Sequence, residues 1–303
     1  MQFQKFTTLF AIPLCTPLKK SKLGTAKHIR DYISNPFPLW NQEIADLVIG
    51  RKWDSSLKNI FQDPDHYSIV GCIVKDVHKE KTIPLAGVNY GIQIACPSEN
   101  LSDFYYKHGL VPADINISFA EKSIKINNAI NILGKIKPLQ FFVFQIVRSI
   151  QLLEPENVET DISYSHPEIP FSIFLSVCED DSIISDLRVA ESIVHESMHL
   201  LLTLIEDQID LIVPYTKETF YSPWRDEQRP VRGVLHGLFV FKAIKDFYRL
   251  LLEQDCLEDQ HDQDYLISRL GQIEIEIKLL SNFSRSSGLT YSGKLLCDNL
   301  IVN

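Results

Sequence analysis

Residues 188–206 read RVAESIVHESMHLLLTLIE, and this stretch decides the fold. It contains an H-E-x-x-H motif formed by His195, Glu196 and His199. Apolar residues cover most of the circumference and no Gly or Pro interrupts the run, which predicts a buried helix. Histidines four residues apart on a helix lie one turn apart on the same face, so both imidazoles can reach one metal ion. We therefore predict that His195 and His199 bind a metal.

Glu196 is rotated by about 100° from His195 around the same helix. A carboxylate at that position lies beside a bound metal, where it can polarise a water molecule or orient a ligand. The motif thus predicts Glu196 as the catalytic residue. The alternative interpretation is that hydrogen bonds within the core satisfy both histidines and that no metal binds.

Composition places the chain among ordinary soluble globular proteins, because 45% of its 303 residues are hydrophobic and 23% are charged. The formal charge of −9 argues against nucleic acid as the main partner, since phosphate binding needs a cationic face. The longest apolar runs fall short of the roughly 18 residues that a membrane span requires. We expect a protein with neither a nucleic-acid nor a membrane partner.

The six cysteines are scattered without any C-x-x-C pair, which is typical of reduced thiols in an intracellular protein. The start of the chain, MQFQKFTTLFAIPLC, weakly resembles a signal peptide that ends in a lipid-modified cysteine. Pro13 interrupts this run, and Leu14 replaces the small residue that cleavage requires. We interpret it as an ordinary apolar arm and predict a cytoplasmic protein.

The predicted fold is one mainly helical α+β domain over residues 1–303, with a helical N-terminal part at 1–120 and a metal-site part at 121–303. The alternation between Ile83 and Cys96 favours a strand or hairpin, and Pro138–Leu153 reads as one long buried helix. The segment Ser165–Val177 reads as a turn followed by a short apolar strand, in the sheet core or along an edge where a peptide could lie.

Gly233–Leu252 reads as a second buried helix, and we expect it to pack on the H-E-x-x-H helix in a zincin-like arrangement with a small sheet. Two histidines need a third protein ligand to make a metal site. His236 is the first candidate, because it lies at the start of this helix near Gly233 and Gly237, which would let another backbone or a ligand approach closely. The competing ligands are Glu206, Asp226 and Glu227.

Several short segments carry a resemblance to a known family. They are Ser222-Pro223-Trp224-Arg225, Arg229-Pro230, Gly233-Val234-Leu235-His236-Gly237, Phe239-Val240-Phe241 and Leu289-Thr290-x-x-Gly293. Over about residues 165–293 the chain resembles the H-E-x-x-H putative peptide-modification proteins found beside ribosomally made natural-product precursors. Members with assigned chemistry resemble 2-oxoglutarate-dependent iron enzymes that hydroxylate a β-carbon in a precursor peptide. This resemblance implies that His195, His199 and His236 bind iron(II).

An enzyme of that type needs a cation to hold the distal carboxylate of 2-oxoglutarate, and a bidentate arginine suits this best. Arg225, Arg229 and Arg232 cluster just before His236, so we predict that one of them binds the cosubstrate. Arg188, two turns before His195 on the histidine face, is a further candidate.

Two other functions fit the same motif. In a zinc peptidase, the histidines would hold zinc and a water molecule, and Glu196 would be the general base. In a metal-stabilised binding protein there would be no catalysis. An open coordination position separates either enzyme from the binding protein, and metal identity with 2-oxoglutarate consumption separates the two enzymes.

Overall fold

The H-E-x-x-H stretch lies in a 24-residue helix, Ile183–Glu206, as the sequence predicts. The structure is a computed structural model that describes residues 22–49, 81–84, 91–95, 101–113, 115–154, 161–167, 169, 171–177, 183–254 and 259–302. The apolar arm at residues 1–15 and the cysteines at positions 72, 96, 178 and 256 lie outside these ranges. Cys297, which is described, is free and buried.

The helices and strands follow one another along both halves of the chain. The helices are α1 (Lys22–Ser34), α2 (42–49), α3 (Ser102–His108), α4 (Ile115–Leu133), α5 (Lys137–Ile146), α6 (Ile183–Glu206), α7 (Val231–Glu253), α8 (Gln260–Leu279) and α9 (Tyr291–Val302). The strands are β1 (Lys81–Pro84), β2 (Gly91–Ala95), β3 (Ser149–Leu153), β4 (Ser163–Tyr164), β5 (Ser172–Ser176), β6 (Thr219–Ser222) and β7 (Glu227–Pro230). This is a mainly helical α+β architecture.

Five of the strands form one mixed sheet in the order β1-β2-β3-β5-β4, and β6 and β7 form a separate antiparallel hairpin. The central pairs β2–β3 and β3–β5 are parallel, whereas the outer pairs β1–β2 and β4–β5 are antiparallel. The predicted hairpin between Ile83 and Cys96 is confirmed by β1 and β2, and the predicted strand within Ser165–Val177 is confirmed by β5. Since β5 is paired on both sides, it is an interior strand, and β4 lies at the edge of the sheet.

The prediction of one long helix over Pro138–Leu153 is wrong in its second half. The helix α5 ends at Ile146, Val147 is extended, and the chain then forms the buried strand β3. A continuous apolar run fits a buried helix and a buried strand equally well, so the sequence alone could not separate them. Pairing with β2 and β5 on both sides decides in favour of the strand.

One hydrophobic core extends from Ile29 near the start of the described chain to Leu300 near its end. Within it, α6 packs on α7, on α4 and on β5, so the H-E-x-x-H helix is surrounded by other elements. The second helix was expected at Gly233–Leu252 and is found at Val231–Glu253, which confirms it. None of the helices among the described residues has both the length and the apolar character needed to cross a membrane.

Candidate metal centre

The two motif histidines approach each other closely on one face of α6. The Nε2 atoms of His195 and His199 are 3.1 Å apart, and their ring centroids are 4.8 Å apart. Two nitrogens bound to one ion at about 2.1 Å and roughly at right angles would have nearly this separation. The separation is that of a hydrogen bond between the two rings, and it is also compatible with two nitrogens on one ion.

His236 reaches the same cluster from α7, but it meets the opposite nitrogen of His199. Its Nδ1 lies 3.0 Å from His199 Nδ1, and the two rings stack with centroids 5.3 Å apart. Its Nε2 lies 3.1 Å from Oε2 of Glu206. The three imidazoles thus form a row rather than a ring around one point. Accordingly, no group of three or more His, Cys, Asp or Glu side chains among the described residues is placed to hold a metal ion.

Glu206 anchors the far end of this row. Its Oε2 accepts hydrogen bonds from Nε and Nη2 of Arg232, at 2.9 and 2.6 Å, as well as facing His236. Burial acts to raise the pKa of Glu206, but the hydrogen bond from His236 and the nearby positive charges outweigh it and lower this pKa. Glu206 is therefore an ionised carboxylate that orients His236. Arg232 forms its ion pair with this same carboxylate.

One placement of the imidazole protons allows every contact in the row to be a hydrogen bond. If His236 donates from Nε2 to Glu206, its Nδ1 accepts from Nδ1 of His199, and Nε2 of His199 accepts from His195. Burial, followed by the neighbouring His195 and His236, lowers the pKa of His199 well below its usual 6.5, so this ring is neutral. His199 then already presents a lone pair where a metal would lie, and only His195 has to give up a proton. In this arrangement His236 accepts a hydrogen bond from Nδ1 of His199, the nitrogen opposite the one that would bind a metal. Outer partners of metal-bound histidines take the same position.

Glu196 is held away from solvent and ties α6 to the edge of the sheet. It is 3% exposed, and its Oε1 and Oε2 accept hydrogen bonds of 2.6 Å from Ser163 and Ser165, respectively. Oε1 lies 3.8 Å from Nε2 of His195. Neither serine was predicted as a site residue, although a spacing of two places both side chains on one face of an extended segment. With both oxygens occupied, Glu196 has the surroundings of a positioning group.

A cavity of about 600 Å³ opens beside His195. Its wall includes three arginines, Arg188, Arg225 and Arg269. Nε of Arg188 bonds Oδ2 of Asp161 at 2.7 Å, and Nη2 of Arg269 bonds Oε1 of Glu191 at 2.7 Å. Arg225 forms no ion pair among the described residues, so its charge is available to a ligand.

The structure separates the three arginines predicted to bind a cosubstrate. Arg225 lines the cavity, whereas Arg232 pairs with Glu206, and Nε of Arg229 lies 3.6 Å from Oε1 of Glu227. Arg188, the further candidate, lies in the cavity wall as well, where it pairs with Asp161. Arg269 was missed, because it comes from α8, far along the chain, and only the packing of α8 brings it to this wall.

The remaining candidate ligands make other contacts. Asp226 lies in the turn between β6 and β7 and accepts a 2.7 Å hydrogen bond from the Tyr221 hydroxyl. Glu227 begins β7 and is exposed beside Arg229. Neither carboxylate has a contact with a motif histidine among the hydrogen bonds and ion pairs of the described chain.

Gly237 next to His236 has a clear packing role. A methyl group built on it would lie 2.7 Å from the Trp224 ring, which stacks on Phe241 with centroids 4.7 Å apart. Phe241 in turn lines the cavity and meets the His195 ring edge-on at 5.5 Å. A close approach at Gly237 was predicted and is found, but the approaching group is the indole of Trp224 and not another backbone or a ligand. Gly233 has no such close neighbour, since a methyl group there would meet Arg229 only at 3.6 Å.

The chain matches no protein-family model, and a search of the curated proteins finds no match.

Proposed function

We propose that this protein is a metal-dependent peptide-modifying enzyme that uses iron(II) and 2-oxoglutarate to β-hydroxylate a residue of a ribosomally made precursor peptide. One observation carries the proposal: His195 lines a cavity whose wall also includes three arginines, of which Arg225 has no ion pair among the described residues. The resemblance of the SPWR, RP and GVLHG segments to the H-E-x-x-H peptide-modification proteins supports the choice of chemistry.

His195 and His199 would hold the metal, and the 3.1 Å between their Nε2 atoms fits two positions on one ion. His236 is the proposed third ligand, and to serve it has to leave both its contact with Glu206 and its position beside Nδ1 of His199. Three protein nitrogens on one side of an iron(II) ion leave room for a bidentate 2-oxo acid and dioxygen. The packing of α6 on α7 supports the proposed zincin-like helix pair.

The cavity has the size for a small dicarboxylate, and Arg225 supplies one cation for it, because Asp161 and Glu191 in the same wall pair with the other two arginines. Its volume lies within the range of about 300–1,000 Å³ that is usual for small-molecule sites. Arg225 would bind the distal carboxylate of 2-oxoglutarate, because a guanidinium holds a carboxylate through two parallel hydrogen bonds. In the overall reaction, one oxygen atom of O2 enters a C–H bond of the peptide, the other enters succinate, and CO2 is released.

The rival function, a zinc peptidase, would need Glu196 to act on a metal-bound water. Both oxygens of Glu196 accept hydrogen bonds from serines, and the side chain is outside the cavity wall. These contacts favour a positioning role for Glu196 and thus the hydroxylase. A metal-stabilised binding protein without catalysis would have little use for a charged cavity at the metal.

The test is to supply the protein with iron(II), 2-oxoglutarate, oxygen and a precursor peptide that is encoded beside it. Peptide mass and succinate are then measured together. We expect a gain of one oxygen per peptide with one succinate released. Arg225→Ala should raise the KM for 2-oxoglutarate at least tenfold, since a charge-assisted bidentate contact is lost, whereas Arg229→Ala should change it little. Peptide cleavage supported equally by zinc would establish the peptidase instead, and bound metal without turnover would establish the binding protein.

A further inference from the structure

The helix α8 carries apolar side chains on the face that points away from the core. Ile267 and Ile275 are 56% and 62% exposed, and Leu279 at the end of the helix is 57% exposed. The opposite face is buried through residues such as Ile273. Large side chains exposed in a row on one helix are characteristic of a surface that binds another protein.

The outermost stripe of α8 has an internal symmetry. It consists of Asp264, Ile267, Gly271, Ile275 and Lys278, all of them exposed and separated by three, four, four and three residues. This spacing forms one continuous stripe along a helix. Counted outwards from Gly271, both directions meet an isoleucine at four residues and a charged residue at seven. The charges at the two ends are opposite.

We propose that α8 is the interface of a homodimer, in which two copies pair antiparallel about a two-fold axis at Gly271. Ile267 would then pack on Ile275 of the partner subunit, and Asp264 would pair with Lys278 of the partner subunit. The two-fold axis produces each of these contacts twice, as in any isologous dimer. A parallel pairing would place like charges together at both ends of the stripe, so the charges select the antiparallel one.

Gly271 supplies an independent argument for close contact at the axis. Glycine is unfavourable within a helix, and a methyl group built on Gly271 would meet nothing within 4 Å in the monomer. Packing within the chain therefore does not require a glycine here. A second helix crossing at this point does use its small size, because the two backbones can approach closely.

The charges at the stripe ends are available for such a contact. Lys278 forms no ion pair within the described part of the chain, and Asp264 accepts only a 2.9 Å hydrogen bond from Gln260 there. One pair of helices is a small interface compared with the roughly 1,600 Å² of a standard complex. The dimer is therefore expected to be weak and to depend on protein concentration.

Sedimentation equilibrium of the full-length chain over a wide concentration range tests the proposal. We expect a monomer–dimer equilibrium, with a dissociation constant raised more than tenfold in Ile275→Glu, which buries a carboxylate in the interface. Ile124→Glu is the matched control, because Ile124 is 55% exposed on α4, and it should leave the equilibrium unchanged. A monomer at every concentration, or equal effects of the two substitutions, would overturn the proposal.

Charge reversal tests the antiparallel register. Lys278→Glu alone should weaken the dimer about tenfold, and adding Asp264→Lys should restore it, because the pair is then re-formed with exchanged signs. Gly271→Cys should form a disulfide-linked dimer on mild oxidation, since its two copies lie at the axis. Failure of the double variant to recover, or absence of the cross-link in folded Gly271→Cys protein, would exclude this register and the interface with it.

Discussion

Replacing Glu196 with alanine should destabilise the protein substantially, although the residue is not expected to be a catalytic base. The substitution removes two hydrogen bonds of 2.6 Å, from Ser163 and Ser165, to a side chain that is 3% exposed. A hydrogen bond to a charged group contributes about 1.5–3 kcal/mol. Because both serines are partly exposed and can form hydrogen bonds with water instead, the lower value of about 1.5 kcal/mol applies to each bond. The two bonds together give a loss of about 3 kcal/mol in the free energy of unfolding.

Glu196→Gln separates positioning from base catalysis. Glutamine keeps one acceptor oxygen, and its amide group can donate to the second serine hydroxyl, so most of the connection between α6 and β4 survives. We expect a loss of about 1 kcal/mol, with metal binding and hydroxylation retained. A peptidase would lose about 10²–10⁴-fold in rate with its general base.

Denaturant unfolding, followed by circular dichroism, measures the free energy of unfolding of each variant. Ser163→Ala and Ser165→Ala should each cost roughly half as much as Glu196→Ala, because each removes one of the two hydrogen bonds. Glu121→Ala, at an exposed glutamate on α4, is the control and should change stability by less than about 0.5 kcal/mol. A cost below that value for Glu196→Ala would refute the positioning role.

Two further predictions concern other contacts. Gly237→Ala should lose about 1–3 kcal/mol in the free energy of unfolding and change the fluorescence of Trp224, because the added methyl group lies 2.7 Å from the indole. Gly271→Ala has open space around it in the monomer, so at protein concentrations too low for the dimer it should instead gain about 0.5–1 kcal/mol. Hydrogen bonds from Ser287, Ser286 and Gly288 hold the pKa of Glu218 below its usual 4.5, so the unfolded chain takes up this proton first and stability falls as pH drops from 4.5 through the lower folded pKa. Glu218→Gln should flatten that acid limb of the stability profile, and an unchanged limb would contradict the role of this carboxylate.

The sequence predicted the features that depend on local pattern. The long apolar runs of α6 and α7, and the four-residue spacing of His195 and His199, led to the helix pair and to the closely placed histidines. A close approach at Gly237 was expected because glycine has no side chain, although of a backbone or a ligand and not of the Trp224 indole.

The features that were missed depend on long-range packing. The strand β3 is extended because β2 and β5 lie on either side of it, and no local signal in SIQLL requires that. Arg269 reaches the cavity only because α8 packs on α7 and so comes beside α6. Likewise, the contact of His236 with Glu206 depends on how α6 and α7 pack, so the sequence could name the two residues as alternative third ligands but could not predict that they contact each other.

Anaerobic titration of the purified protein with iron(II), followed by 2-oxoglutarate, tests the central claim most directly. The histidine arrangement predicts one iron per chain and a visible charge-transfer band when the 2-oxo acid is added. His199→Ala should abolish both, whereas His108→Ala, which removes a histidine bonded to the Tyr164 hydroxyl, should leave both unchanged. Absence of bound iron in the wild-type protein, or equal binding by His199→Ala, would show that the histidine row is only a hydrogen-bonded part of the core.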